Sequence, residues 1–286
     1  MIRLFFCLSL LLLCSPILAD GVWKVTKGSQ SFFLAGSIHM LGPADYPLPP
    51  EYLSALGQSK ELILETDLDQ LSSPEGMQQM LSLNSYPSGQ NLLQQLSAEL
   101  AQKLGDYCRE NQLPLQQITR FKPAFAAMML TTSQLKTIGA TAPGVDAYLL
   151  EQAKQQGKKV SGFESTAEHL AVLTALNNSS AETLIKSTLD DLKQSNEDFA
   201  AMRMAWRSGN LAQLETLYLD DLKQYPDIYQ TLIVNRNNQW LTQLHGKNSK
   251  EGIFILVGAL HLTGEQGLLQ QLKQQGYHIS VFKDEL

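Results

Sequence analysis

Apolar residues follow three different patterns along this chain. Residues 4–13 form an apolar block, interrupted only by Ser9, behind Arg3 and ahead of Pro16. From residue 22 onward, short apolar runs dominate. "VWKVTK" and "SFFLAG" flank Lys27-Gly28-Ser29, the signature of a hairpin. "ELILETDL" (61–68) reads as a strand by its aliphatic content and closes on Glu65 and Asp67. "PGVDAYLLEQAKQQGKKVSGFES" (143–165) reads as a helix, a stop at Gly157 and a strand, the unit from which parallel sheets are built. "GIFILVG" is a continuous apolar run, expected to be a central strand buried on both faces. "TGEQGLLQQLKQQGYHISVF" adds one more helix and one more strand.

The third pattern is helical. "EYLSALGQS" predicts a short helix, and Leu92, Leu93, Leu96, Leu100 and Leu104 recur at intervals of three and four. "KPAFAAMMLTTSQLKTIG" is more apolar and predicts a buried helix with its methionines in the core. From Ser180 to about Gly246 the chain is helical and polar. These elements predict an α/β fold with a mixed, largely parallel central sheet. Residues 20–286 form one domain, split by helical insertions at about 75–140 and 166–246.

Composition narrows the function classes. The 286 residues are 44% hydrophobic and 17% charged, with a formal charge of -6, so no basic footprint marks a nucleic-acid partner. The leading block has the proportions of a signal peptide over residues 1–19, with Ala19 at the cleavage point. Its apolar run is short for a bilayer, so no stable membrane anchor is expected after cleavage. The mature chain is expected to be exported, to a bacterial periplasm. The terminal "KDEL" reads as coincidence, with the endoplasmic-reticulum lumen as the alternative. Cys7 and Cys14 leave with the signal, although lipidation of Cys14 stays open. Cys108 then stands alone, without a disulfide partner or a nearby histidine that would activate it.

Two short stretches carry the candidate chemistry. "LAGSIHMLG" (34–42) and "LVGALHLTG" (256–264) align with Gly36 over Gly258 and His39 over His261. Each sits where an apolar strand ends, and ligands of open α/β sheets bind at the carboxyl ends of strands. A glycine at the strand end is expected to turn the chain, so that two imidazoles converge on one crevice. That is the geometry of a metal site or of an acid–base pair. Glu65 and Glu164 each end a predicted strand and are candidates for the same crevice, whereas Asp67 reads as a helix cap or a solvated loop acid. His169, His245 and His278 lack partners at ligand spacing and read as structural or exposed. No HExxH, GxSxG, Walker or GxGxxG pattern is present.

The paired "GSIHM" and "GALHLTGEQGLLQQLKQQGY" segments, with "ELILETD", "GVDAYLLEQAKQQGKKVSGFES" and "VNRNNQW" (234–240), resemble the TraB/PrgY/GumN family, which is related to the Tiki metalloproteases. The N-terminal signal points to its GumN-like branch. The resemblance implies an α/β core whose GxxH motifs and acids form an active site for divalent-metal-dependent peptide hydrolysis. His39 and His261 match the GxxH histidines, Glu65 the acid after the following strand, and Glu164 and Arg236 two further positions. Ala259-Leu260 departs from the smaller residues common at the second motif.

The expected function is therefore an exported, metal-dependent hydrolase acting on a peptide or small-molecule substrate. His39, His261 and Glu65 are the candidate ligands of a divalent ion (Mn, Co or Zn). Such an ion brings the pKa of bound water from about 15.7 to about 7. Glu65, Glu164 and Arg236 are the catalytic candidates, Arg236 for an oxyanion or a substrate carboxylate. Two alternatives stay open: acid–base hydrolysis without metal, and a non-catalytic periplasmic protein that binds a peptide or porphyrin-type ligand.

Overall fold

The computed structural model describes residues 21–245 and 252–284. The signal segment with Cys7 and Cys14, the last two residues of the "KDEL" tail and the side chain of His245 lie outside the described residues. Among the described residues there are eight strands: β1 (Val22–Lys27), β2 (Gln30–Ser37), β3 (Met40–Leu41), β4 (Glu61–Thr66), β5 (Ala142–Pro143), β6 (Lys159–Glu164), β7 (Ile253–Gly258) and β8 (His278–Val281). Six of them form one sheet in the order β6-β4-β7-β2-β1-β8, in which β6, β4, β7 and β2 run parallel. β1 joins β2 and β8 by antiparallel pairing. The expected mixed, largely parallel α/β sheet is thus the architecture. The expected hairpin is there too: Lys27 pairs with Gln30 across a two-residue turn, and Gly28 takes the left-handed conformation such turns need (φ +58°).

Strand alternation sorts the core into two layers. Phe33, Ala35, Leu62, Leu64, Phe254 and Leu256 face one cluster, together with Tyr52, Leu149 and Trp206 from helices Pro50–Gly57, Val145–Gln155 and Ser195–Arg207. Phe32, Leu34, Ile63, Ile253, Ile255 and Val257 face the other, against Trp240, Leu268 and Leu272 from helices Asn235–His245 and Leu268–Gln274. Because both faces are covered, β7 is buried from Ile253 to Val257, as its unbroken apolar run requires.

The insertions pack together. Leu92, Leu100, Leu104 and Cys108 from the first meet Ile185, Leu189 and Leu192 from the second in a third cluster. Burying each of these leucines contributes about 1.5–3 kcal/mol. Two details differ from the sequence pattern. The leucine stripe is not one helix: a 3-10 turn (Leu92–Gln95) precedes helix Ala98–Glu110, and the Ser97 hydroxyl caps that helix by accepting from Leu100 N. A good N-cap outweighs the continuity of the apolar pattern. Helix Pro123–Thr137 buries Phe125, Ala126 and Leu130 but leaves Met128 39% exposed, so that methionine is not core.

A small two-stranded element holds the segment around His39. β3 and β5 pair antiparallel through Met40↔Pro143 and Leu41↔Ala142, which ties the residues after His39 to the start of helix Val145–Gln155. Val145 N donates to the Ile38 carbonyl at 3.0 Å. A Cβ on Gly144 would lie 2.3 Å from the His39 carbonyl oxygen, so only glycine permits this approach.

Candidate functional site

The parallel strands β6, β4, β7 and β2 bring their carboxyl ends to one edge, and Glu164, Glu65, Gly258 and Ser37 lie there. All four sequence-predicted acid, arginine and histidine positions of the floor meet at this edge. Glu65 and Glu164 are buried on adjacent strands, and helix Asn235–His245 lowers Arg236 between them. Arg236 Nη2 donates to Glu65 Oε2 at 2.6 Å and to Glu164 Oε2 at 3.0 Å, and Nε donates to Glu164 Oε1 at 2.6 Å. Nη1 donates to His261 Nε2 at 3.1 Å and to the Leu232 carbonyl at 3.4 Å. The five N–H bonds of the guanidinium are therefore all engaged. None is left for a substrate oxyanion or carboxylate, the role expected of this arginine from the sequence; here Arg236 positions the acids.

That arrangement also fixes the protonation of His261. An arginine only donates, so Nε2 must be the bare nitrogen and Nδ1 carries the proton, which it gives to Asn237 Oδ1 at 2.7 Å. Burial, with the Arg236 charge beside it, lowers the His261 pKa to about 4 against the pull of Glu65 and Glu164. Asn237, itself fully buried, returns its amide to the His261 carbonyl at 3.1 Å and the Gln266 carbonyl at 2.7 Å. Trp240 lies one turn further on, with its ring 4.8 Å from the Arg236 guanidinium carbon and its indole N–H on Glu164 Oε1 at 3.1 Å.

Burial alone would raise the Glu65 carboxyl, but His261, Arg236, His39 and the Gly258 N–H hold it well below the ordinary range. Gly258 N donates to Glu65 Oε1 at 2.6 Å. Glu164 is lowered likewise, burial being outweighed by His169 and Arg236. His169 was expected to lack partners; its Nδ1 lies 2.9 Å from Glu164 Oε2, so it belongs to the outer part of this network.

His39 is placed differently. The two motifs are not in register, because Gly258 pairs with Ser37 and Gly36 with Val257. After β7 a 3-10 turn (Ala259–His261) folds His261 inward, whereas the chain after β2 runs out into β3. His39 therefore keeps 66% of its side chain in solvent while His261 is 4% exposed. Neither strand-end glycine acts as a left-handed turn; each allows close approach. A Cβ on Gly36 would meet Ala259 at 3.0 Å, and one on Gly258 would meet Glu65 Oε1 at 3.1 Å. His39 Nδ1 lies 2.7 Å from Asp146 Oδ2, in the first turn of helix Val145–Gln155. Partial desolvation opposes a charge on His39, but the Asp146 carboxylate, with a smaller contribution from Glu65, raises its pKa to about 9. With Nδ1 engaged, Nε2 is the nitrogen open to solvent. Its charge favours the ionised Glu65 and disfavours a proton on His261.

The donor set does not fit a divalent ion in this arrangement. Among the described residues no three His, Cys, Asp or Glu side chains are grouped to hold one. His261 Nε2 and Glu65 Oε1 are 3.9 Å apart, but Arg236 Nη1 faces that nitrogen and Arg236 Nη2 holds the other Glu65 oxygen. A cation placed between them would meet a guanidinium. Cys108 is remote, in the helical cluster, and burial pushes its thiol up to about 11. Asp146, Asn237, Trp240 and His169 were absent from the sequence-predicted site; the Asn after Arg236 in "NRN" was the one visible signal among them.

Fold and site together define an α/β protein with a carboxylate–arginine–histidine cluster at the carboxyl edge of a parallel sheet. Residues 21–281 match the TraB/PrgY/gumN family, and the chain belongs to it. The "Uncharacterized protein YbaP" of Escherichia coli K12 is 29% identical over 255 residues, spanning 86% of this chain and 89% of its own. The "Metalloprotease TIKI1" of Danio rerio is 21% identical across 90% of this chain and 62% of its own. The "Metalloprotease TIKI homolog" of Amphimedon queenslandica is 24% identical across 56% and 37%. No solved structure matches the chain. No helix among the described residues is long and apolar enough to cross a membrane.

Proposed function

We propose that the protein is an exported hydrolase of peptide bonds, working at the crevice between His39 and the Glu65–Arg236–His261 floor. The observation that carries this reading is the contrast between two histidines near Glu65, one open and proton-holding on Asp146, the other buried and neutral against Arg236. Two titratable groups driven apart by their surroundings are the usual arrangement for acid–base work. The distant likeness to proteins named metalloproteases supports the same reaction class.

Water adds to the carbonyl carbon of the substrate, and the carbon–nitrogen bond breaks. Glu65, held ionised by Arg236 and Gly258 N–H, orients the water as a hydrogen-bond acceptor, and the proton the water loses restores His39 to its protonated form after that histidine has served the leaving group. His39, protonated against Asp146, delivers a proton to the leaving nitrogen through Nε2. Arg236 and Asn237 keep Glu65 and His261 in place.

A second reading, in which a divalent ion assists, rests on the names of the TIKI relatives, on the open Nε2 of His39 and on the bare Nε2 of His261. It requires Arg236 to leave His261. In that case His39, His261 and Glu65 would hold the ion, whose contribution would be an activated water. The test is hydrolysis of a quenched-fluorescent peptide library by purified mature protein, before and after exhaustive chelation, with His39→Ala and Glu65→Gln alongside. Activity that survives chelation but is lost in both variants supports the first reading. Loss on chelation with recovery on Mn, Co or Zn supports the second. No turnover of any peptide overturns both.

A further inference from the structure

A groove of about 1000 Å³ lies in the second helical insertion, between helices Ala181–Asp191 and Ser195–Arg207 and the segment 217–228. Asp190, Asp191, Asp198, Asp221 and Asp227 line it, and no Lys, Arg or His does. Lys186 and Lys193 neutralise Asp190 from outside. Among the described residues, no ion pair reaches Asp191, Asp198, Asp221 or Asp227; Asp221 accepts only the Gln224 amide. Burial and the charges of Asp198, Asp190 and Asp221 raise the Asp191 carboxyl, the mark of acids crowded without a counter-charge.

The walls between the acids are apolar. Leu184, Leu222 and Ile228 line the groove with the rings of Tyr218 and Tyr225, and Tyr225 is 42% exposed. Two π-helical turns, Glu215–Leu219 and Gln230–Val234, border it and supply Tyr218 and Leu232. Such turns are rare and recur at functional positions. Leu232 lines the groove, and its carbonyl accepts from Arg236 Nη1 at 3.4 Å, so groove and floor share one helical turn.

We propose that this groove binds a cationic peptide segment, with Lys or Arg heads on the aspartates and their stems and aliphatic neighbours on the leucines and tyrosines. This rests on the hydrolase reading, in which the segment is a stretch of the substrate away from the cleaved bond. A partly enclosed cavity of one charge sign focuses its field on a counter-charge, and long basic side chains lay their stems along apolar walls.

The test uses the purified full chain and three fluorescein-labelled decapeptides, alternating Leu-Arg, Leu-Glu and Ser-Arg, read by anisotropy. The Leu-Arg peptide is expected to bind, weakening with salt, and the Leu-Glu peptide not to bind. Asp191→Asn/Asp198→Asn/Asp221→Asn is expected to weaken binding about tenfold, the loss of three partly screened attractions. Circular dichroism checks its fold; should the triple variant unfold, single Asp191→Asn and Asp221→Asn variants are each expected to weaken binding about twofold. Unchanged binding in folded variants, or equal binding of Leu-Glu, overturns the proposal. Equal binding of Ser-Arg, with full displacement by spermine, overturns it in favour of a site for any polycation. Mass spectrometry of the same mixtures separates the two readings. Binding without cleavage leaves the groove standing and removes the hydrolase. Cleavage that ignores peptide charge does the reverse.

Discussion

Replacing Arg236 by methionine removes the guanidinium between two buried carboxylates while keeping much of the side-chain volume. Three of its hydrogen bonds go to Glu65 and Glu164, one to His261 and one to the Leu232 carbonyl. Breaking a buried pair from one side costs about 3–5 kcal/mol, because the remaining charge stays unpaired in a dry site. At about 2.1 cal/mol/K of unfolding entropy per residue, this chain changes by about 0.6 kcal/mol per degree, so the melting point should fall by about 5–8 °C. The loss carries a pH signature. In the wild type both carboxyls are held below their ordinary values, so their contribution is present above the unfolded pKa and fades as pH drops through the folded one. In the variant burial is unopposed by the guanidinium and both carboxyls should move up, so they take up protons as pH falls and the penalty shrinks. Urea unfolding followed by tryptophan fluorescence at pH 7.5, 5.5 and 4.5 measures this directly. Arg236→Met/Glu65→Gln/Glu164→Gln should regain at least half of the loss. A penalty under about 1 kcal/mol at pH 7.5, or one equal at all three pH values, would refute the view that Arg236 is the electrostatic centre of the floor.

Three further outcomes rest on single contacts. Gly144→Ala puts a methyl into the His39 carbonyl and should cost at least about 2 kcal/mol while displacing His39; thermal melts and peptide turnover read the two effects separately. Asp146→Asn removes the charge that keeps His39 protonated, so the alkaline fall in activity should move from near pH 9 toward the ordinary histidine value of about 6.5, visible in a pH–rate profile; an unmoved limb would exclude His39 as the acid. In chain lacking residues 1–19, Cys108 should react with a disulfide reagent only after urea is added, because its thiol is buried and its pKa is about 11.

The sheet was legible because strand chemistry is local. β7 is six apolar residues in a row, β1 and β2 are joined by a glycine turn, and β6 follows a helix closed at Gly157. The floor was legible in part, since Glu65, Glu164 and His261 end strands that the sequence already marks. What stayed hidden is what depends on contact across the chain. Asp146 looks like an ordinary first-turn acid, and only the β3–β5 pairing, across 107 residues, brings it to His39. The near-identity of the two GxxH segments pointed to twin histidines; the one-residue offset between β2 and β7 separates them into an open and a buried one. Arg236 read as a free donor because its four partner residues come from β4, β6, the turn after β7 and the π-helical turn ahead of its own helix.

β7 is the central parallel strand, wedged between β4 and β2, and yet it is nearly the last strand to leave the ribosome. Until residue 258 has been made, β2 and β4 have no neighbour to join them, Glu65 lacks its backbone donor, and His261 does not exist. The nascent chain is thus a set of unjoined pieces, slow to close because its decisive pairings are distant in sequence. The floor is completed only when about the final eighth of the polypeptide threads into the middle of the sheet.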